Sequence, residues 1–444
     1  MTRIAMRGRG VRRARSLRSR WFVVAAAFAV LAACNTDQLL NANAPDRVPA
    51  STIDDPKQAA LMVNSAVGDF DCAIGSYTVV EAIISDEFSD AQLGAAGWPY
   101  DRRDAGTQTG GIYGTNPCTN NQNPGVYTPL STARWSSDNA LTKLQGWTDE
   151  DVGSSRTDLM AQAALYAGFS YTLMGMSMCE AAFDLGAPVD QMAMFALAED
   201  RFGTAIADGG TAGDQDVVNA AYVGRARVRL YQGNTQGAAS DAQLVPAGFE
   251  LDASTGSDDN RRYNRVYAVT AQFGLYTVDP QSRDLLVGPT VYAGGSTAGF
   301  VSDPRADVAQ ATTRAADPTQ TIFYPTKYSA DDSPLPIATY TEAQLILAEA
   351  TGGAGAVTII NALRDAAGVP HYTGATDAAS ITALVADERR RALFAEGFRN
   401  YDIQRFNLPL IPAPGTAFRN GGFYGNTTCL ALPDVERFNN PNVH

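Results

Sequence analysis

The densest run of chemically active side chains is Glu388-Arg389-Arg390-Arg391-Ala392-Leu393-Phe394-Ala395-Glu396-Gly397-Phe398-Arg399-Asn400-Tyr401-Asp402-Ile403-Gln404-Arg405. Two acids could hydrolyse a glycosidic bond if they faced each other across a cleft and one held its proton. Glu388 and Glu396 instead lie along one predicted helix, 377–398, beside arginines that hold carboxylates ionised. The pattern reads better as a fold-holding network of Arg–carboxylate bonds built from Glu388, Arg389, Arg390, Glu396, Arg399, Asp402 and Arg405. Glu396 and Arg399, three residues apart, are expected to pair. Only two histidines occur, His371 and His444, which leaves little room for a His-based triad or a multi-histidine metal site. Asp86-Glu87, Asp258-Asp259-Asn260 and Asp331-Asp332 offer oxygen ligands without the spacing of a calcium loop, and read as solvated acidic surface. No catalytic residue, metal or cofactor is expected.

A second cluster is aromatic. Residues 94–130 hold seven glycines, four prolines and several Asn and Gln, interleaved with Trp98, Tyr100, Tyr113 and Tyr127. This is loop chemistry, unusually rich in rings. Trp135 and Trp147 flank an apparent helix, 136–145, and read as core.

The elements that must position these groups sit in a chain of 444 residues with a formal net charge of −13. Residues 1–33 carry eight arginines and no acid; without them the balance falls to −21. Such a surface argues against nucleic-acid binding, which demands a basic face. Arg3, Arg7, Arg9, Arg12, Arg13, Arg15, Arg18 and Arg20 precede an apolar stretch, residues 21–33. At 13 residues it is short of the roughly 20 that span a bilayer, and reads as an export signal. It ends in Leu31-Ala32-Ala33-Cys34, which resembles a bacterial lipobox with Cys34 as the lipidated mature N-terminus. The expected organisation is a lipoprotein signal peptide, 1–33, an extended tether, 34–56, and one helical-repeat domain, 57–444. Cys72, Cys118, Cys179 and Cys429 remain, an even number that suggests two disulfides. Three pairings exist. Cys72–Cys179 with Cys118–Cys429 is expected, because Cys72 and Cys179 both lie near ends of apolar helical stretches.

Helical periodicity is strongest over 158–184, where Met160, Ala163, Ala164, Ala167, Tyr171, Met174 and Met178 share a face. Further helices are predicted from Asp54-Asp55-Pro56 to about Phe70, and over 191–208, 216–232, 235–245, 340–351 and 354–367. Small residues at contact positions and short Gly-containing turns resemble tetratricopeptide-type hairpins, which stack because none buries its apolar stripe alone. Residues 250–336 read as loops with a few short strands, around Val266–Val269 and 285–287 among others. The fold class is therefore mainly α, with long irregular loops.

Three segments together resemble the C-terminal signature of the RagB/SusD family: Tyr340-Thr341-Glu342-Ala343-Gln344-Leu345-Ile346-Leu347-Ala348-Glu349-Ala350, the helix end Asn361-Ala362-Leu363-Arg364-Asp365-Ala366-Ala367-Gly368-Val369-Pro370, and the run from Glu388 to Arg405. Cys34-Asn35-Thr36-Asp37, with Leu39-Leu40 and Pro45, is similar to that family's mature start. Ala392 stands where the family commonly has a second glutamate, and Phe394-Ala395 reverses its usual order. The resemblance implies a SusD-like helical scaffold and a lipid anchor in the outer membrane, facing outward. It implies a non-enzymatic protein that captures an oligosaccharide, or a peptide, for a TonB-dependent, SusC-like outer-membrane transporter. The ligand would be held by irregular loops. Rings pack on sugar C–H faces while Asn, Asp and Arg bond to hydroxyls, so Trp98, Tyr100, Tyr113 and Asn116 are the ligand candidates. The alternative reading is a scaffold lipoprotein that docks envelope proteins through its repeats and binds no glycan.

Overall fold

Helix formation begins at Asp55, whose carboxylate accepts the Lys57 N–H at 3.0 Å while Pro56 opens a short 3-10 turn. The computed structural model describes residues 54–93, 97–105 and 114–443. The expected signal peptide, Cys34, the tether up to residue 53, and Tyr113 lie outside the described residues.

The helices that organise the chain are α1 (Ala59–Ile84), α2 (Tyr127–Gly146), α3 (Arg156–Ser177), α4 (Gln191–Ala212), α5 (Gln215–Tyr231), α6 (Thr235–Ala242), α7 (Tyr340–Thr351), α8 (Gly353–Ala367), α9 (Ala378–Ala392) and α10 (Arg399–Arg405). Side chains of Asp190, Asp214, Asn234, Thr339 and Asp377 cap α4, α5, α6, α7 and α9. Each helix packs on the next, and α1, α3, α5, α7 and α9 also touch in succession. The result is the mainly α stack of tetratricopeptide-like hairpins that the sequence predicts. Short antiparallel clips join the loops: β1 (Phe88–Asp90) pairs with β3 (Tyr276–Val278), β2 (Glu250–Ala253) with β6 (Leu335–Thr339), and β4 (Val308–Gln310) with β5 (Phe323–Pro325). No helix among the described residues is long and apolar enough to cross a membrane.

Several boundaries differ from the sequence reading. Helix α1 continues past Phe70 to Ile84, because residues 72–84 are buried on every side and so carry no amphipathic period. Helix α2 starts at Tyr127, which puts Trp135 in mid-helix on the outer face, 53% exposed rather than in the core. Trp147 does pack against the core. Val266 lies in a helical turn capped by Asn264, not in a strand.

The cysteines pair as Cys72–Cys118 and Cys179–Cys429, which corrects the expected pairing. Cys72 sits within α1, where the loop carrying Cys118 covers it. Cys179 leaves α3 beside the returning tail: its N–H donates to the Leu430 carbonyl at 2.9 Å, and Leu430 N–H to Ser177 at 2.7 Å. That register brings Cys429 to Cys179.

Close helix approach is set by two phenylalanines and their glycine partners. A Cβ on Gly168 of α3 would come within 2.7 Å of Phe202 on α4, and one on Gly175 within 2.5 Å of Phe195. Gly224 of α5 meets Phe202 from the other side. Phe202 thus fills a hole shared by three helices.

The arginine-rich segment does not continue as one helix. Helix α9 stops at Ala392, the chain turns with Ala395 at φ 55° and Gly397 at φ 83°, and α10 begins at Arg399. This break separates Glu396 from Arg399, so the expected pair does not form. Glu396 binds Lys327 at 2.6 Å. Arg399 grips Asp86 with two bonds of 2.6 and 2.8 Å. Arg389 and Arg405 converge on Asp402, and Arg405 reaches Glu349 on α7 at 2.6 Å. Glu388 takes Arg364 from α8 on one oxygen and Arg305 on the other, the latter at 2.7 Å. Arg390 bonds to the Gln281 carbonyl at 2.7 Å. Arg227 of α5 and Glu342 of α7 form a separate bidentate pair at 2.6 and 2.7 Å. Asp86-Glu87 is therefore buried, not solvated surface.

Environment divides these acids. Burial favours the neutral form of Asp86, but Arg399 overrides it and holds the carboxyl at about 2. Glu81 and Glu87 lack an arginine partner, and burial pushes both up to about 8. Burial likewise raises Glu396, against the expectation that arginines would hold it down, because its partner is one lysine.

Two predictions follow from packing and from protonation. Gly224→Ala should lose about 1–3 kcal/mol in urea unfolding, because overpacking against Phe202 outweighs a helix-propensity gain of up to about 1 kcal/mol. Gly203→Ala on α4, where a Cβ meets nothing, should gain that propensity term. Glu81 keeps its proton in the folded protein where the unfolded chain, with a value near 4.5, has lost it. Stability from this group is therefore complete below about 4.5 and falls as pH rises towards about 8. Glu81→Gln should flatten that fall, read as unfolding midpoints at pH 5, 7 and 9.

Candidate functional site

Loop segments converge where β1 and β3 meet the turn that carries Trp98. Gly97 lets that turn approach: a Cβ there would stand 2.6 Å from an Asp90 oxygen and 2.9 Å from the Tyr276 ring. Pro99 then starts a single helical turn, Trp98–Asp101. Trp98 is half-buried; its indole N–H donates to Asp90 at 3.1 Å, and its edge meets Phe418 with ring centres 6.2 Å apart. Phe418 packs in turn on Tyr424 at 5.4 Å. Arg102 lies over the Phe418 ring and Arg103 over Tyr424. Gly425 N–H donates to the Arg102 carbonyl at 2.6 Å, which fixes this tail loop on the Trp98 turn. Phe423, at the tip of the same loop, is 66% exposed.

Beneath the rings lies a small polar core. Asp101 accepts the Asp90 N–H at 2.8 Å, and Arg419 reaches Asp101 at 3.2 Å and Asp317 at 3.8 Å. Burial first, then repulsion from Asp101, lifts Asp90 to about 7; burial lifts Asp101 to about 6 against the pull of Arg419. The Asp90 carboxylate accepts from the Trp98 indole and from the backbone and side-chain amides of Gln92, each at 3.1 Å, so these acids brace the loops. Among the described residues no three or more His, Cys, Asp and Glu converge as metal ligands.

Asp317 N–H donates to the Ala91 carbonyl at 3.0 Å and so ties in a third loop. This loop, between β4 and β5, borders a cavity of about 820 Å³ lined by Gln310, Thr312, Arg314, Gln320 and Thr321 among others. The size is that of a small-ligand site.

The structure sorts the ligand candidates. Trp98 stands at the rim of this crown. Tyr100 is fully buried and belongs to the core, because its side chain points inward from the same turn. Asn116 donates its amide to the Asn123 carbonyl at 2.9 Å and staples its own loop. Sequence reading missed Phe418, Phe423 and Tyr424. The signal was present: Phe418-Arg419-Asn420-Gly421-Gly422-Phe423-Tyr424 mixes rings, glycine and polar groups as residues 94–130 do.

The SusD family model matches residues 310–431, the stretch that includes the cavity loop, the arginine network and the ring-bearing tail loop. No curated protein matches the chain in sequence. Among solved structures, a SusD-like carbohydrate binding protein from Bacteroides vulgatus superposes with a TM-score of 0.62 at 14% identity, over 88% of this chain and 97% of that one. A laminarin binding SusD-like protein gives 0.56 at 17% identity, over 79% and 91%. Surface glycan-binding protein A from Bacteroides fluxus gives 0.53 at 15% identity, over 82% and 90%. The C-terminal part of the chain is thus similar to the SusD family, and the chain shares the fold of these SusD-like structures over most of its length.

Proposed function

We propose that this protein is a cell-surface glycan-binding lipoprotein, anchored through Cys34, that captures oligosaccharides and hands them to a TonB-dependent, SusC-like outer-membrane transporter. The observation that carries the binding role is the crown itself. An exposed ring (Phe423), a half-buried indole (Trp98) and a polar cavity lie on loops locked to one another by Arg419, Asp317 and the Arg102 backbone. Rings of this kind cover the C–H faces of sugars while hydroxyls find amides and guanidinium groups. The structural neighbours include a laminarin binding and a surface glycan-binding protein, which supports the same ligand class. The lipobox and export signal support the anchor. The helical stack supplies a rigid support that does no chemistry, and the buried acids Asp90 and Asp101 brace loops, so the reading is of binding without turnover.

Calorimetry of the full-length protein against a panel of oligosaccharides tests the binding role; a panel without heat removes it in favour of the scaffold reading. Co-purification with a TonB-dependent barrel tests delivery. Phe423→Ala should weaken glycan binding about 3- to 10-fold, as loss of one ring contact implies. Its melting temperature should not move, since the side chain is mostly in solvent.

A further inference from the structure

Arginine is engaged almost everywhere in this molecule. Among the described residues each arginine but one has a carboxylate, carbonyl, amide or ring partner. Even the adjacent arginine pairs on loops are taken: Arg102 by Asp104 at 2.9 Å, Arg103 by the Ile411 carbonyl at 3.1 Å, Arg261 by Asp69 at 2.8 Å and Arg262 by Asp258 at 3.4 Å. The exception is Arg314, exposed and on the wall of the 820 Å³ cavity. Among the described residues its guanidinium has no hydrogen bond or ion pair. The side chains of Gln310, Thr312, Gln320 and Thr321, which share the cavity, likewise have no hydrogen-bond partner among the described residues. No acid lines it. The one carboxylate in the loop, Asp317, turns away to Arg419 and to the Thr319 hydroxyl at 2.7 Å.

The position of Arg314 is also fixed. Thr313 donates its hydroxyl to the Ala271 carbonyl at 2.6 Å. Gly274, at φ 63°, lets its turn press on the Arg314 carbonyl, where a Cβ would stand 2.7 Å away. The backbone is held on both sides while the guanidinium projects unmatched. A planar fork of donors fits a carboxylate with two parallel bonds. The surrounding hydroxyls and amides fit ring hydroxyls. The net charge of −13 would repel a polyanion from afar, but at physiological salt that field is screened beyond about 8 Å. An acid-free cavity with a lone cation is a local reversal of sign.

Building on the glycan-binding reading, we infer that this cavity takes an acidic sugar, a uronic acid residue of an oligosaccharide, with Arg314 on its carboxylate. Calorimetry on the full-length protein in detergent, with uronic-acid oligosaccharides of several epimers, their carboxyl-reduced counterparts and a sulfated neutral oligosaccharide, tests it. At least one uronide should bind, and carboxyl reduction should weaken it tenfold or more. Arg314→Gln should cause the same loss, with no further loss on carboxyl reduction, and Arg314→Lys should recover only part. A uronide affinity unchanged in Arg314→Gln, or binding confined to neutral or to sulfated sugars, overturns the uronate assignment and leaves glycan capture standing. Silence towards every oligosaccharide overturns both. Among the described residues the Arg314 side chain makes no hydrogen bond or ion pair, so its substitution should leave folding intact, which an unshifted melting temperature verifies.

Discussion

The structure depends on a guanidinium–carboxylate bond between Arg399 and Asp86, residues 313 positions apart. A stack of helical hairpins needs only neighbour contacts to grow. This bond, with Arg389, Arg405 and Asp402 behind it, folds α10 back onto α1 and α3 and closes the stack on itself. Buried ions cost several kcal/mol each to dehydrate, and only good geometry offsets that. Here the geometry is met by two-pronged bonds, so loss of either partner strands a charge. The bond thus ties together elements that neighbour contacts within the stack do not join.

The same bond explains how neighbouring acids come to differ. Asp86 sits against two arginines, Arg399 and, at 3.5 Å, Arg390, and stays ionised. The carboxyl of Glu87, the next residue, accepts the Ala395 N–H at 3.1 Å, and burial keeps its proton on. One ionised and one neutral acid side by side satisfy the turn at Ala395–Gly397 without packing two negative charges together. The Tyr77 hydroxyl completes it by donating to the Gly397 carbonyl at 2.8 Å. From this fixed point β1 departs at Phe88, and the crown loops are anchored to it through β3 and through Arg419.

Much of this was legible in the sequence because it is local. Residues at spacings of three and four named the hairpins, and on α4 Ala198, Phe202 and Ala205 are fully buried. The 388–405 run announced an ion network by its composition. What periodicity could not show is where a charge finds its partner: Arg405 takes Glu349 and Arg305 takes Glu388 across the fold. The disulfides fail for the same reason, since Cys429 reaches Cys179 only after the tail returns along α3. Within the crown, composition identified aromatic loops but not orientation. Trp98 and Tyr100 are two residues apart on one turn, yet one edges into the rim and the other into the core.

Charge placement then connects scaffold to site. Drawing arginines inward to close the fold leaves the outer surface with an acid excess, consistent with a net charge of −13. On such a surface an unpaired cation carries more discriminating power than it would among other basic groups, because no neighbour offers the same bond. Water hydrates an exposed guanidinium well, so its presence costs the fold nothing. Its effect appears only when a planar anion displaces that water and the cavity supplies hydroxyl partners at the same time. Position, not strength, therefore sets selectivity here: the backbone of Thr313 and Arg314, wedged between Ala271 and Gly274, holds the fork in place before any ligand arrives.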